Sequence, residues 1–308
     1  MKTIAIVGAG FAGLATAWYL LEQPNVEVTL IDSIGIGGGA SGISAGLLHP
    51  YRSNSLELAW RGLEAFHEAR RLICSVTQPT TGLLRLMTSV PPASQDIEPW
   101  SYTQCQEKVP HLRAVPGAFL RQALVVDAGA YLRGLWEHCQ KKGAKLEISP
   151  IDHIDALNAF DEVVLATGWN MGAIRGIHPP PITPMKGQTL LLENEGYPLP
   201  YALQGRAYLI SGAEDVLTAG ATFEREFRDS TVDIATAEAY LRPRLAEFSP
   251  LLAELPVRGG RAHIRAMTAS HRPFAERLTP RVICIGGLGA KGLLYHALMA
   301  KQVYTAST

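Results

Sequence analysis

The chain has 308 residues, 47% of them hydrophobic and 18% charged, which is enough for one large core or two moderate domains. Its 28 basic and 28 acidic side chains cancel, so no global field recruits nucleic acid or an anionic membrane. Four widely spaced cysteines (Cys74, Cys105, Cys139, Cys284) form no CxxC pair, which argues against a zinc site and against a secreted disulfide framework. No apolar run approaches the roughly 18 to 20 residues that span a bilayer. The apolar start, residues 3–7, runs into glycines rather than a cleavage site, so a cytoplasmic location is expected.

The opening reads as strand, glycine turn, helix, strand. Residues 3–7 suit a buried parallel strand. Phe11, Leu14, Ala15, Trp18 and Leu21 recur at helical spacing and give one apolar face. Pro24 and Asn25 end that helix, and residues 26–31 return as a strand closing at Asp32. A Gly- and Ser-rich loop, residues 34–46, leads to a helix predicted over 56–76. Residues 77–120 lack a helical period and read as strands and loops of a different domain. A helix is predicted over 130–142, ended by Gly143, then an edge strand over 145–149 and an apolar strand over 162–166 running into Thr167-Gly168. Pro179, Pro180 and Pro181 mark a boundary, beyond which 188–192, 207–210 and 216–219 read as strands and 231–245 as a helix. A last strand, 282–285, meets Gly286-Gly287-Leu288-Gly289 and a terminal helix.

The expected fold class is α/β, with two interleaved domains in the α+β manner. A Rossmann-type nucleotide-binding domain takes residues 1–76, 124–180 and 258–308, and an antiparallel-sheet domain takes 77–123 and 181–257.

Gly8-Ala9-Gly10-Phe11-Ala12-Gly13 spells GxGxxG, with a strand before it, a helix after it and Asp32 closing the next strand. Gly8 permits the tight turn, Gly10 lets the backbone approach a pyrophosphate, and Gly13 allows close helix–strand packing. The helix start at Phe11 and Ala12 offers unpaired N–H groups and a positive dipole end to phosphates. Asp32, with Ser33 beside it, would accept hydrogen bonds from an adenosine ribose. The fingerprint alone does not choose between NAD and FAD. Two further segments bear on the choice: Gly37-Gly38-Gly39-Ala40-Ser41-Gly42 followed by Ala45-Gly46-Leu47-Leu48-His49-Pro50, and Val163-Val164-Leu165-Ala166-Thr167-Gly168.

In this order these segments resemble the D-amino-acid oxidase family of FAD-dependent oxidoreductases, which includes glycine and sarcosine oxidases and the oxidase domain of a bacterial tRNA wobble-uridine modification enzyme. The likeness reaches the other end of the chain. Gly287-Leu288-Gly289-Ala290-Lys291-Gly292-Leu293-Leu294 resembles the glycine-rich turn and helix that cover the flavin. The resemblance implies FAD as cofactor, with Ala40, Ser41, Ala45, Gly46, Leu47, Ala166, Thr167, Gly168, Gly287, Gly289, Ala290, Lys291 and Gly292 along it and Ile151 near the adenine. Cys284 lies inside a strand and His49 does not match the family's attachment motif, so the FAD is expected to be non-covalent.

Hydride transfer from an amine carbon to a flavin needs little acid–base machinery; the protein must mainly bind the substrate, aim its C–H bond and exclude water. A carboxylate substrate also needs an arginine fork. Arg265-Ala266-Met267-Thr268, with Pro273 following, resembles the family's RPxT…P segment, whose arginine binds the substrate carboxylate; alanine replaces its first proline here. Ala207-Tyr208-Leu209-Ile210, followed by Gly220-Ala221-Thr222, resembles a strand whose tyrosine lines the substrate cavity, and Lys186-Gly187-Gln188 resembles a crossing segment between domains. Lys291 stands where the tRNA-modifying relatives carry arginine, and a cation there would stabilise reduced, anionic flavin.

The expected activity is oxidation of a small amine or amino acid of the D-amino-acid, glycine or N-methylglycine type. Two alternatives stand beside it. One is a flavin oxidase acting on a carboxymethylaminomethyl group of tRNA, for which the eight arginines against three glutamates over residues 242–281 would suit an anionic polymer. The other is a flavin-binding redox sensor without turnover.

Overall fold

The computed structural model describes residues 1–194, 196–212 and 215–307. Two sheets organise them. The smaller has six strands in the order Phe274–Arg277, Val282–Gly286, Glu162–Leu165, Lys2–Val7, Val26–Asp32, Lys145–Ile148. All but the first run parallel to one another. The two central strands are buried on both faces and accordingly read as continuous apolar runs rather than alternating ones. Val7 pairs with Ile31 on one side and Leu165 on the other. That register brings Gly8, Asp32 and Ala166 out side by side at one carboxyl edge, where α/β sheets bind nucleotides.

The helix after the glycine turn, Phe11–Leu20, is buried on every face rather than on the single stripe its spacing predicts. It is wedged between the parallel sheet, the helix Ala128–Lys141 and the C-terminal helix Gly292–Ser307. Phe11, Leu14, Trp18, Tyr131, Leu135, Leu294 and Leu298 belong to one apolar core there. Both ends of the described chain thus help to hold the same helix.

The larger sheet has nine strands. Along the main path they are Val257–Met267, Thr183–Glu193, Val216–Gly220, Tyr208–Ser211, Ala202–Gln204, Thr80–Leu86, Gly117–Val125 and Leu47–Leu48, and Ile97–Trp100 branches from Gly117–Val125. The pairings are antiparallel except between Ala202–Gln204 and Thr80–Leu86. Leu190, Leu192, Leu203, Leu209 and Leu217 point to the outer face, where helix Ile234–Leu245 covers them with Leu241 and Leu245. Strand alternation sends Arg85, Gln204, Tyr208 and Arg265 to the opposite, inner face. His263, two residues before Arg265, approaches Gly38 O of the glycine-rich loop at 3.4 Å. Met267, two residues after it, packs on Gly289. The inner face is therefore turned toward the glycine-rich loop and the glycine turn before the C-terminal helix.

Several elements differ from the sequence reading. The nucleotide half was expected to resume at residue 258, yet Val257–Met267 is bonded along its length to Thr183–Glu193 and belongs to the large sheet. Its polar residues face the crevice, so no apolar alternation marked it as a strand. The helix predicted from residue 56 begins at Gly62, because the chain first doubles back through a bridge between Tyr51 and Leu58. Residues 77–120 also contain a short helix, Tyr102–Lys108, whose Ser101 and Gln104 form a capping box.

Gly46 lies in the left-handed region at φ +76°, and a Cβ there would overlap the Val126 carbonyl oxygen. Gly143, at φ +93°, has open space at its Cβ position. Gly143→Ala is expected to lose about 1 kcal/mol from backbone conformation alone. Gly46→Ala, with overlap added, should lose more than about 2 kcal/mol, as read from urea unfolding midpoints.

Candidate cofactor and substrate site

The glycine turn is tightly packed. A Cβ on Gly13 would overlap the Gly8 carbonyl, and one on Gly8 would overlap that of Ala166, so helix, turn and neighbouring strand meet backbone to backbone. Asp32 ties the turn to the next loop: Oδ2 accepts from Ala9 N at 2.8 Å, and Oδ1 accepts from Ile34 N and Gly35 N at 2.8 and 2.9 Å. The glycine-rich loop folds back over the turn, with Gly37 N donating to Ala9 O and Ser41 Oγ accepting from Phe11 N, each at 3.0 Å. Ser41 thereby takes one of the N–H groups that a helix start leaves without an intrahelical partner. The Phe11 side chain faces inward against Tyr131 and His296, so only its backbone borders the crevice.

Ala166 N donates to Val7 O, and the next residue, Thr167, has a buried hydroxyl with no hydrogen-bond partner. Ser33, Ile34 and Ile148 are exposed beside Asp32, with Ile151 partly buried nearby. At the other end of the described chain, Val282–Gly286 delivers Gly287, Gly289, Ala290, Lys291 and Gly292 to the start of the C-terminal helix, and Gly292 lies against Phe11. Ala40, Ala45, Gly46 and Leu47 lie in the covering loop and its exit, where Gly46 O accepts from Val126 N. Cys284 is fully buried within its strand.

On the inner face of the large sheet, the Arg265 guanidinium lies directly over Gly187, a position any Cβ would block. Its Nη1 donates to the Thr222 carbonyl at 3.2 Å, and Phe223 presents its ring 5.9 Å away. No ion pair among the described residues involves Arg265. Burial lowers its pKa from the usual arginine value, although its charge persists. The phenol end of Tyr208 covers Gly220, where a Cβ would overlap it. Burial pushes its phenol up to about 12, so the hydroxyl keeps its proton. Arg265 and Tyr208 thus meet on one face, while Lys291 joins a separate group and donates from Nζ to Tyr51 O at 2.7 Å.

That group contains His49, from the motif segment that follows the glycine-rich loop, and Arg85, which no motif marked. Arg85 is 3% exposed and His49 6%. Arg85 donates to Gln204 Oε1 and to the Ser55 carbonyl. The only mark of Arg85 in the sequence is a lone charge among Leu83, Leu84 and Leu86. Its meaning depends on pairing with residues 202–204, far along the chain.

The comparisons bear on this geometry. The family model described as FAD dependent oxidoreductase (DAO) matches residues 3–305. The chain belongs to this family. Its cofactor is FAD. It is 30% identical, over 97% of its length and 51% of the relative's, to the tRNA 5-methylaminomethyl-2-thiouridine biosynthesis bifunctional protein MnmC of Maricaulis maris. The chain spans about half the length of the curated relatives it matches at full extent. Among solved structures it superposes on glycine oxidase from Geobacillus kaustophilus with a TM-score of 0.81 at 20% identity, covering 98% of this chain and 94% of that one. Iminodiacetate oxidase from Chelativorans sp. gives 0.81 at 18% identity, covering 99% and 95%. These likenesses show the fold. Among the described residues no helix is long and apolar enough to cross a membrane.

The residues fit FAD on three observations: backbone at the glycine turn packed too closely for side chains, a helix start aimed at the crevice, and the unpartnered Thr167 hydroxyl. Thr167→Val is expected to leave the unfolding midpoint of the FAD-free protein nearly unchanged, since no hydrogen bond is lost. FAD affinity should fall about fivefold, or about 1 kcal/mol, in a flavin fluorescence titration.

Proposed function

We propose that this FAD-dependent oxidoreductase oxidises a small amine bearing a carboxylate, of the glycine, N-substituted glycine or D-amino-acid type. The observation that carries the reading is Arg265: a guanidinium with no ion-pair partner among the described residues, on the sheet face that meets the glycine-rich loop and the C-terminal glycine turn. Its planar fork suits both oxygens of a carboxylate. The Tyr208 hydroxyl, kept protonated by burial, is a donor on the same face. Ile210, Leu83, Ala202 and Met267 surround this area with apolar surface that keeps water away from the reacting carbon.

In this reading the Gly8–Gly13 turn and the helix start carry the pyrophosphate. Asp32 and Ser33 lie at the ribose, Ile151 lies near the adenine, and Thr167 and Ser41 border the phosphates. The turn from Gly287 to Gly292 and the segment from Ala45 to Leu47 flank the flavin. FAD supplies the electron acceptor for the amine C–H bond. The chain's own residues bind the carboxylate, aim that bond and exclude water. The FAD is held without a covalent link, in keeping with the burial of Cys284 in its strand and of His49 beneath the loop.

A second reading draws on the tRNA-modification relatives. A carboxymethylaminomethyl group on tRNA offers the same carboxylate and amine to Arg265. Arg261, exposed on the same strand face, stands where a nucleic-acid phosphate could approach.

Anaerobic mixing with glycine, sarcosine, proline and D-amino acids should bleach the flavin for at least one of them. Bleaching only by tRNA carrying the carboxymethylamine would select the second reading, and no bleaching by any amine would overturn both. Arg265→Ala should weaken carboxylate substrates by about 2 to 5 kcal/mol while changing neutral amines little; equal losses for the two would remove its assigned role.

A further inference from the structure

The backbone ladder beside Arg265 is irregular at one point. Lys186 and Glu224 exchange both of their backbone hydrogen bonds, each at 3.0 Å, as an antiparallel pair does. Two residues along, Thr222 N donates to Gln188 O at 3.0 Å, and a regular ladder would return a bond from Gln188 N to Thr222 O. That bond goes instead to the Thr222 hydroxyl, at 2.8 Å. The side chain thus stands in for its own carbonyl, and the carbonyl turns to Arg265 Nη1 at 3.2 Å.

The exchange depends on which way the hydroxyl points. A threonine hydroxyl has one proton and two lone pairs. With a lone pair facing Gln188 N–H, the proton needs another acceptor, and Glu224 Oε1 supplies it. The same carboxylate oxygen accepts from Gln188 Nε2 at 3.0 Å, while Gln188 Oε1 accepts from Asp233 N at 2.6 Å. Thr222 is 1% exposed and Gln188 fully buried, so neither has water as a ready substitute for these partners.

Glu224 enters no ion pair among the described residues. Burial lowers the Arg265 pKa, and Tyr208, Glu224 and Tyr240 oppose it; Glu224 is the one carboxylate among them. It lies close enough to favour the cation without capping it. Among the described residues the guanidinium makes one hydrogen bond, from one of its five N–H groups. A direct ion pair would occupy the fork and compete with a substrate, whereas a carbonyl holds it in place without cancelling its charge.

We propose that Thr222 and Glu224 are positioning residues for Arg265. Glu224 orients the Thr222 hydroxyl, and the hydroxyl frees the Thr222 carbonyl from the ladder. The carbonyl then fixes the guanidinium over Gly187, with its remaining N–H groups open to a substrate carboxylate. The inference rests on Arg265 as the carboxylate-binding residue, as in the reading above.

Propionate and propionamide, nearly equal in shape, separate recognition of charge from general damage to the site. Each is titrated into FAD-loaded protein, and its dissociation constant is read from the change in flavin absorbance. Thr222→Val removes the hydroxyl, so the carbonyl at position 222 returns to Gln188 N–H and leaves Arg265. Propionate binding should weaken about tenfold, while propionamide changes less than about twofold. Thr222→Ser keeps the hydroxyl and should keep propionate binding. Glu224→Gln keeps an acceptor without its charge and should weaken propionate about threefold, again selectively. In an Arg265→Ala background, Thr222→Val should have no further effect on propionate. Equal losses for both probes, an unchanged propionate constant in Thr222→Val, or a Thr222→Val effect that persists without Arg265 overturns the proposal. If Thr222→Val fails to hold FAD, Glu224→Gln decides, and an unchanged or unselective result there overturns it. An unaltered protein with no preference for propionate, or a preference that survives Arg265→Ala, overturns the Arg265 reading itself and the proposal with it.

Discussion

Where the strand Lys2–Val7 ends, three pieces of backbone meet so closely that Gly8 and Gly13 leave no room for a Cβ against Ala166 O and Gly8 O. Much of the structure follows from that contact. It draws the helix Phe11–Leu20 onto the sheet and aims its N-terminus into the crevice at the carboxyl edge. A helix held so close is covered on all sides, which requires apolar residues around its whole circumference and a second helix to close the far side. The C-terminal helix Gly292–Ser307 fills that place and carries Lys291 at its start. Asp32 and Ser41 then clasp the turn with hydrogen bonds to Ala9, Ile34, Gly35 and Phe11. The cofactor crevice and the stability of this half of the molecule are built from the same contact.

The large sheet contributes a wall of a different kind. Its outer face is closed by leucines and a helix, while its inner face carries Arg85 and Arg265, neither of them in an ion pair among the described residues. Arg265 sits over Gly187 near Thr222, Arg85 lies at the other side of Tyr208 along the sheet order, and Lys291 reaches in from the start of the C-terminal helix. Burying such groups opposes folding, and their net effect is a positive potential facing the place where a substrate carboxylate and an electron-rich flavin would lie. The division of labour is physical. The parallel sheet offers closely packed backbone at its carboxyl edge, and the antiparallel sheet offers charged side chains on its inner face.

Corrections to the sequence reading fall mostly in that second sheet. The strand Val257–Met267 escapes a hydrophobic-alternation reading because its inner-facing residues are Arg261, His263 and Arg265, polar for chemical reasons. Its true partner, Thr183–Glu193, also extends further toward its start than its apolar core suggested, through Met185, Lys186 and Gly187. The segment before Gly62 looked helical in composition, but a bridge from Tyr51 to Leu58 turns it back toward Arg85 and Lys291.

Local pattern alone determined the strand–turn–helix–strand opening, the place of Asp32 at its end, and the apolar strands that flank them. These features are set by neighbours in sequence: glycine spacing, apolar runs and helix stops act within a few residues of one another. Arg265, Tyr208 and Lys291 could be named from motifs, yet their surroundings could not. Tertiary structure alone decided that Arg265 enters no ion pair among the described residues. It also decided that Arg85 reaches Gln204 across 119 residues of sequence, and that Lys291 meets the carbonyl of Tyr51 across 240. Burial and electrostatic coupling depend on which strands pair and on which face each residue falls, and a sheet assembled from distant segments writes neither into any one of them.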